Sequence, residues 1–217
     1  MILIPVKNLA LAKQRLSSIL DQPARTQLAQ AMLHDVLGAV ASWENRPEVG
    51  IVTCDSFALG LAAKFGFEVI ADPVNASETD AIAMATHVCE TRGVDFALVI
   101  PADIPLIQAW ELQRIMDAAP LEGTVIVPAG DGRGTNAIFR RPAGLIPLQF
   151  GNDSFKPHVA AAKATGKSCT VLSLPGIAVD VDNPSDLRQL VELPGETRAQ
   201  RLARLWDLRD LPLAANE

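Results

Sequence analysis

The chain has 217 residues, 49% hydrophobic and 5% aromatic with no tyrosine, which is enough apolar material for one well-buried globular domain spanning residues 1–217. A net charge of -6 and a pI near 5.1 exclude a general nucleic-acid binder, which needs a basic face, but leave room for a small anion at a locally basic site. Cys54, Cys89 and Cys169 are too few and too far apart for a disulfide framework or a metal or redox pair, and no run of about 18 apolar residues marks a membrane span.

The first strand, Ile2-Val6, is cut short by Pro5 and Lys7 with no basic region ahead of it, so it is not a signal peptide and the expected compartment is the cytoplasm. The following loop holds Lys7, Lys13 and Arg15, and residues 1–20 contain no acid. Cations at such a turn would meet phosphate oxygens; the plainer reading is a solvated loop with three surface bases. The P-loop pattern is absent and no glycine precedes Gly38, which disfavours both common nucleotide fingerprints.

A helix is expected at about 24–42, where Ala29, Met32, Leu33, Val36, Leu37 and Val40 follow helical spacing. Next come a strand at 49–54, a helix at 56–65 stopped by Gly66, a strand at 67–70 and a helix at 78–92 stopped by Gly93. The apolar strand 96–100 then runs straight into Asp103, ahead of Pro105. Open α/β sheets bind ligands beyond the carboxyl ends of their parallel strands, which makes Asp103 a candidate metal ligand.

Strands at 124–128 and 136–140 flank Gly130-Asp-Gly-Arg-Gly-Thr-Asn-Ala137, a Gly-rich excursion near the site in which backbone can approach a ligand and Thr135 and Asn136 offer hydrogen bonds. Gly151 and Ser154 precede a helix at 154–165, stopped by Gly166. The N–H groups of that helix start suit a phosphate or carboxylate, and a plain N-cap role for Ser154 competes. Strands at 169–174 and 178–181 lead to Asp180 and Asp182.

Asp182 pairs with Asp103 as a Mg2+ site, since this ion takes one or two protein carboxylates and completes its shell with phosphate and water; a local cap is the alternative for Asp182. Asp180 stays open between a salt bridge and the site. Asn183 as N-cap and Pro184 at N1 put Asp186 at N3 of another helix, a structural position. The last amphipathic segment, about 196–208, either caps the domain or forms a partner contact, which leaves a homodimer open. His34, His87 and His158 show no metal-ligand spacing and are read as structural or surface groups. No Gly-x-Ser-x-Gly elbow and no Cys–His pairing supports covalent acyl chemistry. The alternation of strands and helices predicts an α/β fold with a mainly parallel sheet flanked by helices.

Taken together, Ile4-Pro-Val-Lys7 with Lys13 and Arg15, Pro101-Ala-Asp-Ile-Pro-Leu106, Gly134-Thr-Asn-Ala137, Phe150-Gly-x-x-Ser154 and Asp180-Val-Asp-x-Pro-x-Asp-Leu187 resemble the 2-phospho-L-lactate guanylyltransferase family over residues 1 to about 190. The resemblance implies a GT-A-like, Rossmann-like nucleotidyltransferase that moves GMP from GTP to the phosphate of 2-phospho-L-lactate, phosphoenolpyruvate or 3-phospho-D-glycerate. Pyrophosphate is released, and the pathway implied is coenzyme F420 biosynthesis. It carries the metal acids onto Asp103 and Asp182, with Mg2+ as cofactor, and the triphosphate contact onto Lys13 with Lys7 and Arg15 nearby. Asn75 matches a nucleotide contact, and Thr135, Gly151 and Ser154 match the acceptor site. The run Val74-Asn-Ala-Ser-Glu-Thr-Asp-Ala-Ile82 departs from the Leu-Asn-Ala-Ala-Leu-like run common in the family, so Glu78 and Asp80 leave base and acceptor recognition open. The rival readings are a nucleotidyltransferase for a sugar phosphate or molybdopterin, and a non-catalytic nucleotide-binding regulator.

Overall fold

The computed structural model describes residues 1–151 and 153–206. Strands form where apolar and β-branched runs are bounded by turn residues. β1 (Ile2–Val6), β2 (Val49–Thr53) and β4 (Ala97–Val99) are buried throughout, as inner strands covered on both faces must be. With β3 (Glu68–Ala71), β5 (Gly123–Pro128), β6 (Thr135–Arg141) and β7 (Ser168–Val171) they make one seven-stranded sheet in the order β3-β2-β1-β4-β6-β5-β7.

Six strands run the same way, and β6 is antiparallel to both β4 and β5. That reversal has a direct consequence for the site. Thr135, the first residue of β6, pairs with Pro128 at the end of β5. It therefore lies at the edge where the parallel strands deliver their carboxyl ends.

Helices cover both faces. α1 (Gln22–Ala41) starts where Asp21 accepts a hydrogen bond from the Ala24 N–H, and it buries Leu33, Val36, Leu37 and Val40 against the sheet with part of α2 (Ser56–Phe65) and α4 (Ala109–Asp117). Each fully buried side chain of this size contributes about 1.5–3 kcal/mol relative to exposure. The opposite face is packed by Ala81, Ile82, Ala85 and Cys89 of α3 (Glu78–Thr91) and by Ala162 of α5 (Phe155–Ala164). A third apolar cluster joins Leu28 and Met32 of α1 to α6 (Pro184–Glu192) and α7 (Arg198–Arg204).

The three expected glycine stops adopt left-handed backbone, with φ of 70° at Gly66, 67° at Gly93 and 69° at Gly166. Two expectations are corrected, and one helix is added to those expected. Residues 178–181 form no strand: a turn at 175–178 leads into chain without regular structure, because the sheet position beside β4 is filled by β6. α4 was not anticipated from the sequence. The last helix runs Arg198–Arg204 instead of 196–208, and residues 207 and 208 lie outside the described part of the chain.

Candidate active site

Beyond β4 the chain buries Ile100 and Ile104 in the core and leaves Asp103 between them at the sheet edge, its side chain 27% exposed. The Val181 N–H donates to the Asp103 carbonyl at 3.2 Å, which lays the 181–183 segment beside the exit of β4. Asp186 Oδ2 accepts from the N–H groups of Asp182 and Asn183, while Asn183 Oδ1 accepts from the N–H of Asp186. Asp186 is thus the structural N3 acid expected. The reciprocal cap fixes the backbone that presents Asp182.

The two acids meet on one cation. Lys13 Nζ donates to Asp103 Oδ2 at 2.6 Å and to Asp182 Oδ1 at 2.9 Å, and Arg15 Nη1 lies 3.5 Å from Asp182 Oδ2. Burial works against the Lys13 charge, but Asp103 and then Asp182 hold its pKa above the ordinary lysine value. Burial likewise opposes ionisation of Asp182, and the charges of Lys13 and Arg15 overcome it, leaving that carboxyl below the usual range.

Lys13 reaches this position from a left-handed backbone, φ 55° and ψ 43°. Among the described residues the other non-glycine with positive φ is Asn75, at 49°. Such conformations cost about 1–3 kcal/mol and gather at functional sites. Both residues are ones for which nucleotide contact is expected.

Two cavities open on this cluster. The smaller, about 450 Å³, is lined by Lys7, Asn8, Lys13, Asn75 and Glu78. Here Lys7 Nζ donates to Asp72 Oδ2 at 2.8 Å, and Asp72 Oδ1 accepts from the Asn75 N–H at 3.0 Å. Burial would raise the Asp72 pKa, yet the Lys7 hydrogen bond keeps it below the carboxylate range. Asp72, which sequence reasoning passed over, therefore ties Lys7 to Asn75. The three bases of the first loop do not form one cluster, since Lys13 and Arg15 address Asp182 and Lys7 addresses Asp72.

The larger cavity, about 1310 Å³, brings Thr135, Gly151 and Ser154 together with Lys13, Asp103 and Asp182. Ser154 is 5% exposed and makes no side-chain bond to cap α5, so its hydroxyl is not spent on the helix. The start of α5 is a poorer anion site than its sequence implies. The Phe155 N–H donates to Arg133 O at 2.8 Å and Pro157 has no N–H.

Asn136 Nδ2 donates to Ile177 O and to Asp180 Oδ1, both at 2.9 Å. Burial raises the Asp180 pKa, and the like charges of Asp103 and Asp182 add to it against the Asn136 bond. Asp180 is thus held by an amide, with no salt bridge to it among the described residues.

Three further groups stand at the site for which the sequence assigned no role there. Glu111, fully buried, accepts from the N–H groups of Gln108, Gly176 and Ile177 at 2.9, 2.7 and 3.4 Å and so fixes the turn ahead of Asp180; the spacing Gln108-x-x-Glu111 was the available signal. Glu78 faces both cavities, and burial followed by the charge of Asp103 pushes its pKa up to about 7. His158, expected to be structural or at the surface, is buried against Thr135.

The residues present fit a divalent cation. Asp103 and Asp182 each aim one oxygen at a single cationic centre, the Lys13 ammonium, and a pair of carboxylates that leaves other positions to phosphate and water is the donor set Mg2+ takes. Among the described residues no cluster of three or more His, Cys, Asp or Glu side chains forms an all-protein cage.

The model of the family described as guanylyl transferase CofC like matches residues 1–206. A phosphoenolpyruvate guanylyltransferase of Roseiflexus castenholzii is 35% identical over 207 residues, covering 95% of each chain. A 2-phospho-L-lactate guanylyltransferase of Methanothermobacter thermautotrophicus is 33% identical over 203 residues, covering 93% of this chain and 88% of that one. Among solved structures, a nucleotidyl transferase from Methanothermobacter superposes with a TM-score of 0.62 at 15% identity, over 94% of this chain and 97% of that one. A cytidylyltransferase from Leptospira borgpetersenii gives 0.59 at 14%, over 94% and 92%. The structural matches identify the fold as that of the GT-A-like nucleotidyltransferases.

Proposed function

Because this chain belongs to the guanylyl transferase CofC-like family and is a nucleotidyl-transferring enzyme, we propose that it moves GMP from GTP to the phosphate of a small phospho-acid. The candidate acceptors are 2-phospho-L-lactate, phosphoenolpyruvate and 3-phospho-D-glycerate, and the product serves coenzyme F420 biosynthesis. The observation that carries this reading is the meeting of two chambers at one charged cluster: Lys13, Glu78 and Asp103 line both. GTP occupies the smaller chamber against Lys7, Lys13 and Asn75. The phospho-acid occupies the larger one against Thr135, Gly151 and Ser154. Both substrates are soluble small molecules, and no helix among the described residues is long and apolar enough to cross a membrane.

In the reaction an oxygen of the acceptor phosphate attacks the α-phosphorus of GTP. A new P–O bond forms, the bond to the β-phosphate oxygen breaks, and pyrophosphate leaves with the electron pair. A phosphate monoester is largely dianionic at neutral pH, so no protein base is required. The difficulty is to bring two polyanions together, and fixed cations in a partly dry site are suited to it. Lys13 turns from the carboxylates to the phosphates, with Arg15 beside it, and offsets the charge that develops on the leaving group. Asp103 and Asp182 would hold Mg2+, which supplies Lewis-acid polarisation of phosphate oxygens when bound. Thr135 and Ser154 orient the acceptor.

The test is pyrophosphate release from GTP with each acceptor, a sugar phosphate and molybdopterin, followed by mass spectrometry of products from a three-way competition. A guanylylated phospho-acid is expected as the product, and Asp103→Asn should lower kcat by ~100-fold or more with folding intact. Turnover confined to a sugar phosphate or molybdopterin, or GTP binding without turnover, would overturn the reading.

A further inference from the structure

We propose that His158 is a positioning residue for the acceptor site, one that sets the direction of the Thr135 hydroxyl so that its proton points into the larger cavity. The argument begins at the opposite edge of the ring. The backbone N–H of Gln149 lies 3.1 Å from His158 Nε2, and a backbone amide can only donate. Nε2 is therefore the unprotonated nitrogen of a neutral imidazole, and the ring proton sits on Nδ1. Nδ1 is 3.0 Å from Thr135 Oγ1, so His158 donates and the threonine oxygen accepts.

A hydroxyl that accepts from one side directs its own hydrogen elsewhere. Among the described residues that hydrogen has no protein acceptor, and Thr135 borders the cavity that holds Lys13 and Asp103. The hydroxyl is thereby left with its hydrogen free to donate, which suits an anionic oxygen.

The ring is held in this state by its surroundings. His158 is 2% exposed, and burial followed by the charge of Arg140 pushes its pKa down to about 4, so it stays neutral at working pH. The Phe150 ring lies edge-on to it with centroids 5.6 Å apart, and the Phe150 N–H donates to Thr79 Oγ1 at 3.0 Å. One imidazole thus joins the start of β6 to the loop that carries Gly151.

This inference rests on the assignment of Thr135 to the acceptor site. Its test is steady-state kinetics of the wild type, Thr135→Val, His158→Leu and the double variant, with phosphoenolpyruvate or whichever of the three phospho-acids turns over fastest. Thr135→Val and His158→Leu should each raise the acceptor KM roughly tenfold or more, the range for a lost hydrogen bond to a charged group, with the KM for GTP unchanged. In the double variant the His158 change should add nothing further. His158→Asn, whose amide can donate from the place of Nδ1, should recover most of the loss, and His158→Gln, whose amide reaches the place of Nε2, should not. That pair decides the matter if the leucine variant does not fold.

A full His158→Leu penalty on top of Thr135→Val, equal effects of Asn and Gln, or a parallel rise in the GTP KM would each overturn the proposal. An unchanged acceptor KM in Thr135→Val would instead overturn the acceptor assignment, and this inference with it.

Discussion

Lys13 spends a left-handed backbone to lodge an ammonium between Asp103 and Asp182. Removing it leaves two carboxylates facing each other, so Lys13→Ala should lose ~100-fold or more in kcat. Its Tm should also gain more from added Mg2+ than the wild type's, because the added ion then relieves a repulsion that Lys13 otherwise relieves; thermal melts with Mg2+ and with chelator check this. Asn75 shares the backbone feature without the ion pairs. Asn75→Gly should leave stability unchanged or raise it by up to about 1 kcal/mol, since glycine takes positive φ freely, while the GTP KM rises and the acceptor KM does not. At this scale Asp103 was read as the acid at the end of one apolar strand and Asp182 as the acid at the end of another at 178–181; that second strand does not form, and Asp182 meets Lys13 from the segment just ahead of the α6 cap. The partners of Lys13 and Lys7 were not legible, because they come from segments up to 169 positions away. Glu78 was visible only as a departure from a family pattern, since its raised pKa is created by neighbours from other elements.

Among the elements, the turn at 175–178 decides where Asp180 and Asp182 go. It is clamped from below by Glu111 of α4, and from the side by the Gly130 N–H donating to Ala178 O at 2.8 Å. Gly176 sits so close to this clamp that an added Cβ would fall 2.3 Å from Leu106 O and 2.4 Å from Glu111 Oε2. Gly176→Ala should therefore cost about 1–3 kcal/mol, the usual range for overpacking. It should also lower kcat, because the segment bearing Asp180 and Asp182 must shift; urea melts and kinetics on the same preparation separate the two effects. The parallel strands and long helices were readable from periodicity. α4 was not: its buried apolar contribution is only Leu112 and Ile115, and Trp110 is 53% exposed, which blurs the stripe. The expected strand at 178–181 failed for a tertiary reason. Val181 is buried as a strand residue would be, but β6 had already taken the place beside β4.

For the molecule as a whole, two groups with shifted pKa, the buried His158 and the partly exposed Glu78, pull stability in opposite directions with pH. His158 has a folded pKa of about 4 against an ordinary 6.5, so between those values the unfolded chain binds more protons and stability rises with pH. Glu78 has about 7 against 4.5, so over that range the folded chain binds more protons and stability falls as pH rises. The contributions oppose each other from about pH 4.5 to 6.5. Relative to wild type, Glu78→Gln should gain stability with rising pH and His158→Asn should lose it, each by at most about 1.4 kcal/mol per pH unit, as denaturant melts in chelator across that window would measure. The ion pair at Lys13 has a thermodynamic corollary of its own. On the proposed assignment, a bare divalent ion would have to evict the ammonium and would offer it nothing in exchange, whereas a triphosphate arriving with its counter-ion would give Lys13 new anionic oxygens for the two it surrenders. Metal and nucleotide affinities should on this account be linked, each tightening the other by the same factor, and the free protein should resist ions that come alone.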